Sequence, residues 1–210
     1  MRLMLATHNR GKLAELQALL GGQVDAVCLA DLGVPDDTVE SGATLQDNAR
    51  IKAHAARRRT GLTALADDSG LEVDVLDGAP GVHSARYGGE PRSDARNLAA
   101  LLHALRDVPA ERRSARFRCC LCLVAEDLEV LATGTLEGTV IQAPRGAAGF
   151  GYDPVFVPRP EEVLAAGLPP DRIGRTLAEL SMADKNLLSH RGRALRRLQP
   201  VLLALAQASS

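Results

Sequence analysis

Two carboxylates stand side by side in the stretch Ala66-Asp67-Asp68-Ser69-Gly70. Adjacent acids at the end of a strand repel one another unless a cation shares them. A hard divalent ion does this well, and Mg²⁺ suits a site that supplies few carboxylates and leaves positions for other oxygens. One acid of the pair can also serve as base toward a water molecule beside such an ion. An acidic surface turn ahead of a glycine would look the same in sequence. Glu40, in Glu40-Ser41-Gly42-Ala43-Thr44, completes a metal site if the fold brings it near Asp68. Otherwise it is an acid ahead of a helix start, where the dipole favours negative charge.

A second group of residues offers donors and positive charge. Thr7-His8-Asn9-Arg10-Gly11-Lys12 follows an apolar strand and enters a helix. A glycine-containing turn of this kind leaves amide N–H groups unpaired, and with the helix dipole they make an anion site. Thr7 and Asn9 add side-chain donors, and Lys12 reaches back as a point charge. The G-x-x-x-x-G-K-[ST] spacing of a Walker loop is absent. Asn48 and Lys52 are four apart and share a helix face. Lys52 interrupts an apolar surface there, which fits a phosphate contact and equally a snorkelling stem.

A third group is aromatic and basic. In Gly149-Phe150-Gly151-Tyr152-Asp153-Pro154 two glycines flank an aromatic ring, so a ligand's base can approach and stack, and Asp153 can accept its hydrogen bonds. Lys185 precedes Ser189-His190-Arg191-Gly192 at a helix junction, where His190 and Arg191 offer several donors. Each signal alone has a bland reading. Together they describe a metal–nucleotide site.

The elements that must position these residues follow from periodicity. Arg2 to Ala6 reads as a strand, and Leu13, Leu16, Leu19 and Leu20 as one face of a helix closed by Gly21-Gly22. Val24 to Leu29 is a second strand, Thr44 to Arg59 a helix with a basic tail, and Leu62 to Ala66 a short strand ending at the acidic pair. Leu71 to Leu76 alternates apolar and acidic residues like a half-buried strand. Gly78 to Glu90 is a loop, and Ser93 caps a helix that runs to Leu105. Ala115 to Ala125 and Leu128 to Ile141 form a hairpin about Glu126-Asp127. The Gly-rich loop from Gly146 runs into a short strand by Pro158. Thr176 to Ser189 and Arg191 to Ala206 carry helical spacing. Helices alternating with strands early and a hairpin late predict an α/β fold, a mixed sheet flanked by helices.

Composition narrows the function. The 210 residues suit one domain, and 46% are apolar, enough for a sizeable core. Only 2% are aromatic, without Trp, so Phe117, Phe150, Tyr87 and Tyr152 are the rings to follow. With 25 Lys and Arg against 26 Asp and Glu, the net charge of −1 gives no footprint for a nucleic-acid polymer. Cys28, Cys119, Cys120 and Cys122 lack zinc spacing and read as core thiols. Free thiols and no signal peptide point to the cytoplasm, and no apolar stretch reaches the ~20 residues of a membrane span.

Five motifs in order, LATHNRGKLAEL, ESGATLQDNARIKA, ADDSGLEVDVLDGAPGVHSARYGG, GFGYDPVF and AELSMADKNLLSHRGRAL, span nearly the whole chain. They make it resemble the inosine triphosphatase-like, or Ham1-like, family of purine nucleoside triphosphate pyrophosphatases. The resemblance implies hydrolysis of ITP, dITP and XTP to monophosphate and pyrophosphate with Mg²⁺. It implies a two-lobed mixed α/β fold over residues 1–210 with the site in the cleft, and a homodimer. By the same resemblance Thr7, His8, Asn9, Arg10, Gly11 and Lys12 lie at the phosphates, where the helix position of Lys52 also points. Asp68 is base and metal ligand, Ser69 touches substrate and Glu40 is the second ligand. Phe150, Gly151, Tyr152, Asp153, Lys185, His190 and Arg191 serve the base end.

Inosine and xanthine carry an oxo acceptor where adenine carries an amino donor. Donors such as Arg191 and His190 would leave that amino group unpaired, at a cost of ~1–3 kcal/mol. Two departures stand out: His8 where many relatives have Gly, with a weak expected effect, and a Pro-rich stretch, Arg159 to Arg175, that looks longer than usual. Two other readings are a Maf-like pyrophosphatase for modified pyrimidine nucleotides, which the SHRG element disfavours, and a nucleotide-binding module without turnover, which the intact acidic pair disfavours.

Overall fold

Leu3, Met4 and Leu5 are completely buried and form the centre of strand β1 (Arg2–Ala6) in a computed structural model that describes residues 1–7, 10–20, 24–34 and 38–208. β1 pairs in parallel with β2 (Asp25–Cys28) on one side and β3 (Thr63–Val73) on the other. Helix α1 (Arg10–Leu20) links β1 to β2, and α2 (Leu45–Thr60) links β2 to β3. The chain continues through α3 (Asp94–Ala104), β4 (Ser114–Val124), β5 (Glu129–Val140), β6 (Phe156–Pro158), α4 (Pro160–Ala165), α5 (Met182–Leu188) and α6 (His190–Ala208). The strand order is β2-β1-β3-β4-β5-β6, with β5 and β6 antiparallel. This is the mixed sheet that the alternating pattern predicts. The β4–β5 connection closes where Ala125 N–H donates to Leu128 O, around the predicted Glu126-Asp127 turn. None of the described helices is long and apolar enough to cross a membrane.

The chain divides into two compact units. The first comprises Met1–Asp68, Cys119–Gly134 and Arg191–Ser210; the second comprises Ser69–Arg118 and Thr135–His190. In the first unit alternate strand residues feed two cores. Leu3, Leu5, Leu65, Cys119 and Leu121 pack with Leu16 and Leu20 of α1 and with Ala194, Leu195 and Leu198 of α6. Met4, Ala6, Ala64, Ala66, Cys120 and Cys122 pack with Ala49, Ala53 and Ala56 of α2. Small residues let α2 lie close, and all four cysteines are buried free thiols. The second unit has one core, built from Leu71, Val73, Leu101, Leu105, Phe117, Tyr152, Val155, Phe156 and Leu188 among others.

Three local expectations change. The acidic pair does not end a strand: β3 runs without a break from Thr63 to Val73, straight through Asp67-Asp68-Ser69-Gly70. The segment from Thr176 to Ser189 is two pieces, a 3₁₀ turn Leu177–Glu179 and α5, because Ser181 caps the latter by accepting from Asp184 N–H at 3.1 Å. The Pro-rich stretch contains α4, with Pro160 in its first turn, and a 3₁₀ turn Pro170–Arg172.

Candidate functional site

Consecutive side chains of a strand point to opposite faces of its sheet. Leu65 packs on the α1 side and Ala64 and Ala66 on the α2 side, so Asp67 belongs with α1 and Asp68 with α2. Ala66 pairs with Ala6, the last residue of β1, so both acids lie just beyond the carboxyl end of that parallel partner. Ligands of parallel α/β sheets gather at such ends.

On the α1 side the Asp67 carboxylate, 2% exposed, meets two cations. Lys12 of α1 pairs with its Oδ1, and Arg191 Nε, at the start of α6, donates to its Oδ2 at 2.9 Å. Cys119 Sγ adds a weak donor at 3.0 Å. Arg191 also donates to Glu15, one turn along α1 from Lys12. Glu15, Asp67 and Arg191 are all buried, whereas the Lys12 side chain is 16% exposed, so the alternating chain of charges ends in one ammonium near the surface. Burial pushes the Asp67 carboxyl up, but Arg191, Lys12 and Lys52 together hold it well below the usual carboxylate range. Asp67 is a fixed anion.

On the α2 side Asp68 Oδ1 accepts from Lys52 Nζ at 2.7 Å, and none of the described residues takes its Oδ2. Lys52 also donates to the Asp67 carbonyl at 2.7 Å and lies 3.5 Å from Glu40. Burial raises the Asp68 carboxyl above its ordinary value, offset in part by Lys52 and Lys12. Burial alone would lower Lys52, yet Asp68, Glu40 and Asp67 keep it above its ordinary value. The two acids thus differ by environment: the cations around Asp67 keep it ionised, while burial raises the Asp68 carboxyl.

In the ion pairs of the described residues Asp67 meets Lys12 and Arg191 while Asp68 meets Lys52, and Lys12 and Lys52 act at longer range on both acids. The carboxylates that face one positive charge are Glu40 and Asp68, around Lys52 Nζ. Among the described residues no group of three or more His, Cys, Asp or Glu could hold a metal ion, so these two carboxylates are the pair a divalent ion would use together with oxygens of its own ligand.

Thr7 N–H closes a tight turn to Leu5 O at 3.0 Å where β1 ends. His8 and Asn9 lie outside the described residues, and Arg10 and Gly11 are followed only as the first backbone positions of α1. Ser69 continues β3 after Asp68.

In the second unit the aromatic loop is organised by one carboxylate. Asp153 Oδ2 accepts from Phe150 N–H at 2.9 Å and from Lys185 Nζ at 2.6 Å. Lys185 Nζ also stands 4.6 Å from the centre of the Phe150 ring, a cation–π contact on one face. Gly149 and Gly151 adopt φ of 81° and 61°, and Gly151 N–H donates to Asp94 at 2.9 Å. His190 stacks on Phe117 with centroids 5.0 Å apart and planes within 10°.

Two residues expected at the base end have partners within the protein. Tyr152 is a core residue, 5% exposed, and its hydroxyl donates to Ser84 O at 2.8 Å. Arg191, 1% exposed, donates from its guanidinium to Asp67 and Glu15. Glu15 was absent from the sequence reading. Its signal is present, since Lys12, Glu15, Leu16, Leu19 and Leu20 occupy one helical stripe, and a carboxylate in an apolar stripe requires a cation.

The chain matches the model of the Ham1 family over residues 3–201. It is 50% identical to a dITP/XTP pyrophosphatase of Xanthomonas oryzae pv. oryzae over 97% of this chain and 98% of that one. It is 47% identical to a dITP/XTP pyrophosphatase of Mycolicibacterium paratuberculosis over 98% of each. Among solved structures, a HAM1 protein from Coxiella burnetii superimposes with a TM-score of 0.80 at 40% identity, over 96% of this chain and 98% of that one.

Proposed function

Because this chain belongs to the Ham1 family, we propose that it hydrolyses dITP, ITP and XTP to the monophosphate and pyrophosphate with Mg²⁺, removing deaminated purines from the nucleotide pool. The observation that carries this reading is the division of labour along β3, where an ionised Asp67 anchors Lys12 and a raised Asp68 faces Glu40 and Lys52.

In this reading Glu40 and Asp68 would hold the divalent ion, which would supply charge neutralisation at the phosphates. Asp68, through its carboxylate oxygen, orients the attacking water and accepts its proton. Lys12 and Lys52 stabilise the charge that develops as pyrophosphate leaves. Lys12 keeps its place because Asp67 holds it, and Asp67 stays ionised because Arg191 and Lys12 flank it. The Thr7 to Lys12 segment supplies phosphate donors, and Ser69 adds a substrate contact. Phe150 stacks on the base, with Asp153, Gly151 and Lys185 fixing the ring's attitude. His190 contributes an N–H toward a 6-oxo acceptor, which inosine and xanthine have and adenine lacks.

The protein acts as a cytoplasmic homodimer in this reading, consistent with four buried thiols that need a reducing compartment. Product analysis tests the bond cleaved. Pyrophosphate must form in equal amount to the monophosphate and disappear when EDTA removes the metal; release of orthophosphate would contradict it.

A further inference from the structure

The loop that carries Glu40 is held by a side chain with no charge of its own. Asn48 lies in the first turn of α2 and is 1% exposed. Its Oδ1 accepts from Gly42 N–H at 2.8 Å, reaching back six residues along the chain. Thr44 closes the same turn from the other side: its Oγ1 accepts from Asp47 N–H at 3.1 Å and donates to Asp47 Oδ2 at 2.7 Å. Gly42 leaves no slack. A Cβ built there would stand 2.6 Å from Asp47 Cβ and 2.7 Å from Asn48 Oδ1.

Asn48 falls on the stripe Leu45, Asn48, Ala49, Lys52, Ala53, where every other position but Lys52 is apolar. A buried amide in such a stripe is costly unless its hydrogen bonds do something an apolar residue cannot. Here its acceptor fixes the backbone two residues after Glu40, and Lys52, one turn further on the same face, meets the Glu40 carboxylate.

We propose that Asn48 is a positioning residue that sets the Glu40 carboxylate for the metal by clamping Gly42 N–H. The inference rests on the reading of Glu40 as a metal ligand. Asn48 touches neither metal nor substrate; it fixes a ligand's backbone, and losing such a support costs metal affinity about 10- to 100-fold in comparable sites.

The test compares Asn48→Ala, Asn48→Asp, Gly42→Ala and Glu40→Gln with the parent. Free Mn²⁺ is followed by electron paramagnetic resonance during titration with inorganic pyrophosphate present, and the Mg²⁺ concentration for half-maximal turnover is measured beside it. Asn48→Ala is expected to weaken Mn²⁺ binding by about 10-fold or more, to raise the Mg²⁺ requirement in parallel, and to keep kcat at saturating metal. Asn48→Asp retains the acceptor for Gly42 N–H and is expected to restore binding most of the way. Gly42→Ala pushes on the same contact from a half-exposed loop, so it gives the same weakening even if Asn48→Ala does not fold. If Glu40→Gln weakens Mn²⁺ binding while Asn48→Ala and Gly42→Ala do not, the positioning role is wrong. If Glu40→Gln itself leaves Mn²⁺ binding unchanged, the ligand reading fails and the inference falls with it.

Discussion

Asp67 and Asp68 are neighbours in the chain, but their carboxylates are bound by different cations, Lys12 and Arg191 for the first and Lys52 for the second. The alternation of β3 separates two charges that would otherwise repel, and it places one in each of two helix-covered layers. Substitution of each acid should therefore fail differently. If Asp68 is the base and a metal ligand as proposed, Asp68→Asn should lower turnover by roughly 10²–10⁴-fold or beyond detection. Its fold should persist, because burial already works against that charge. Asp67→Asn leaves Arg191 with Glu15 as its carboxylate partner but removes the anion that holds Lys12, and the loss of stability is expected to be about 1–3 kcal/mol. Urea unfolding and single-turnover kinetics on both variants check this. An Asp68→Asn protein that keeps most of its kcat would refute the assignment of the base.

The pH dependence separates the same two residues. Asp67 titrates below its unfolded value, so it contributes stability above that value and loses it as pH falls through the lower folded one. The unfolded chain binds the extra proton there, so stability rises with pH. Asp67→Asn should flatten this acid limb as pH falls below the ordinary aspartate value of 3.8, read from urea midpoints. Asp68 is shifted the other way in the metal-free protein, so its carboxyl, followed by NMR without Mg²⁺, should show its inflection above the ordinary 3.8. Lys52 lowers the Asp68 carboxyl, and Lys52→Met should move that inflection further up. An inflection that stays put in Lys52→Met would show that another group governs the profile.

At the base end, Asp153 is the hinge of the arrangement because it holds both Phe150 N–H and Lys185. Gly149 has φ of 81°, and a Cβ there would meet the Asp153 carboxylate. Gly149→Ala is expected to raise KM for ITP by about 10-fold, with kcat kept, since remote binding is lost and the reacting groups are untouched. Lys185→Met should act in the same direction by freeing the Phe150 ring. A fall in kcat at unchanged KM would place these residues in the chemical step.

Much of the architecture was legible because periodicity reports it directly. β1, α1, α2, the Ser93-capped α3 and the hairpin of β4 and β5 all lie within two residues of their predicted bounds. β3 was misread as two strands because Asp67-Asp68-Ser69-Gly70 has the composition of a turn. What keeps it extended is tertiary: Lys12, Arg191 and Lys52 come from three other elements, and no local rule reveals them. The partners of Arg191 leave no local sign for the same reason. Its burial between Glu15 and Asp67 depends on side chains 176 and 124 positions away. Lys52 was already visible as a lone cation in an alanine-rich stripe, and Glu15 could have been found by the same argument.

The most direct test of the central claim is pyrophosphate release by the purified protein with Mg²⁺, measured side by side for ITP, dITP, XTP, GTP, ATP and dTTP. The expected result is kcat/KM for ITP, dITP and XTP at least about 100-fold above ATP and dTTP, in line with unpaired polar groups on the wrong base. Comparable rates on dTTP or ATP, or no pyrophosphate from any of the six, would contradict it.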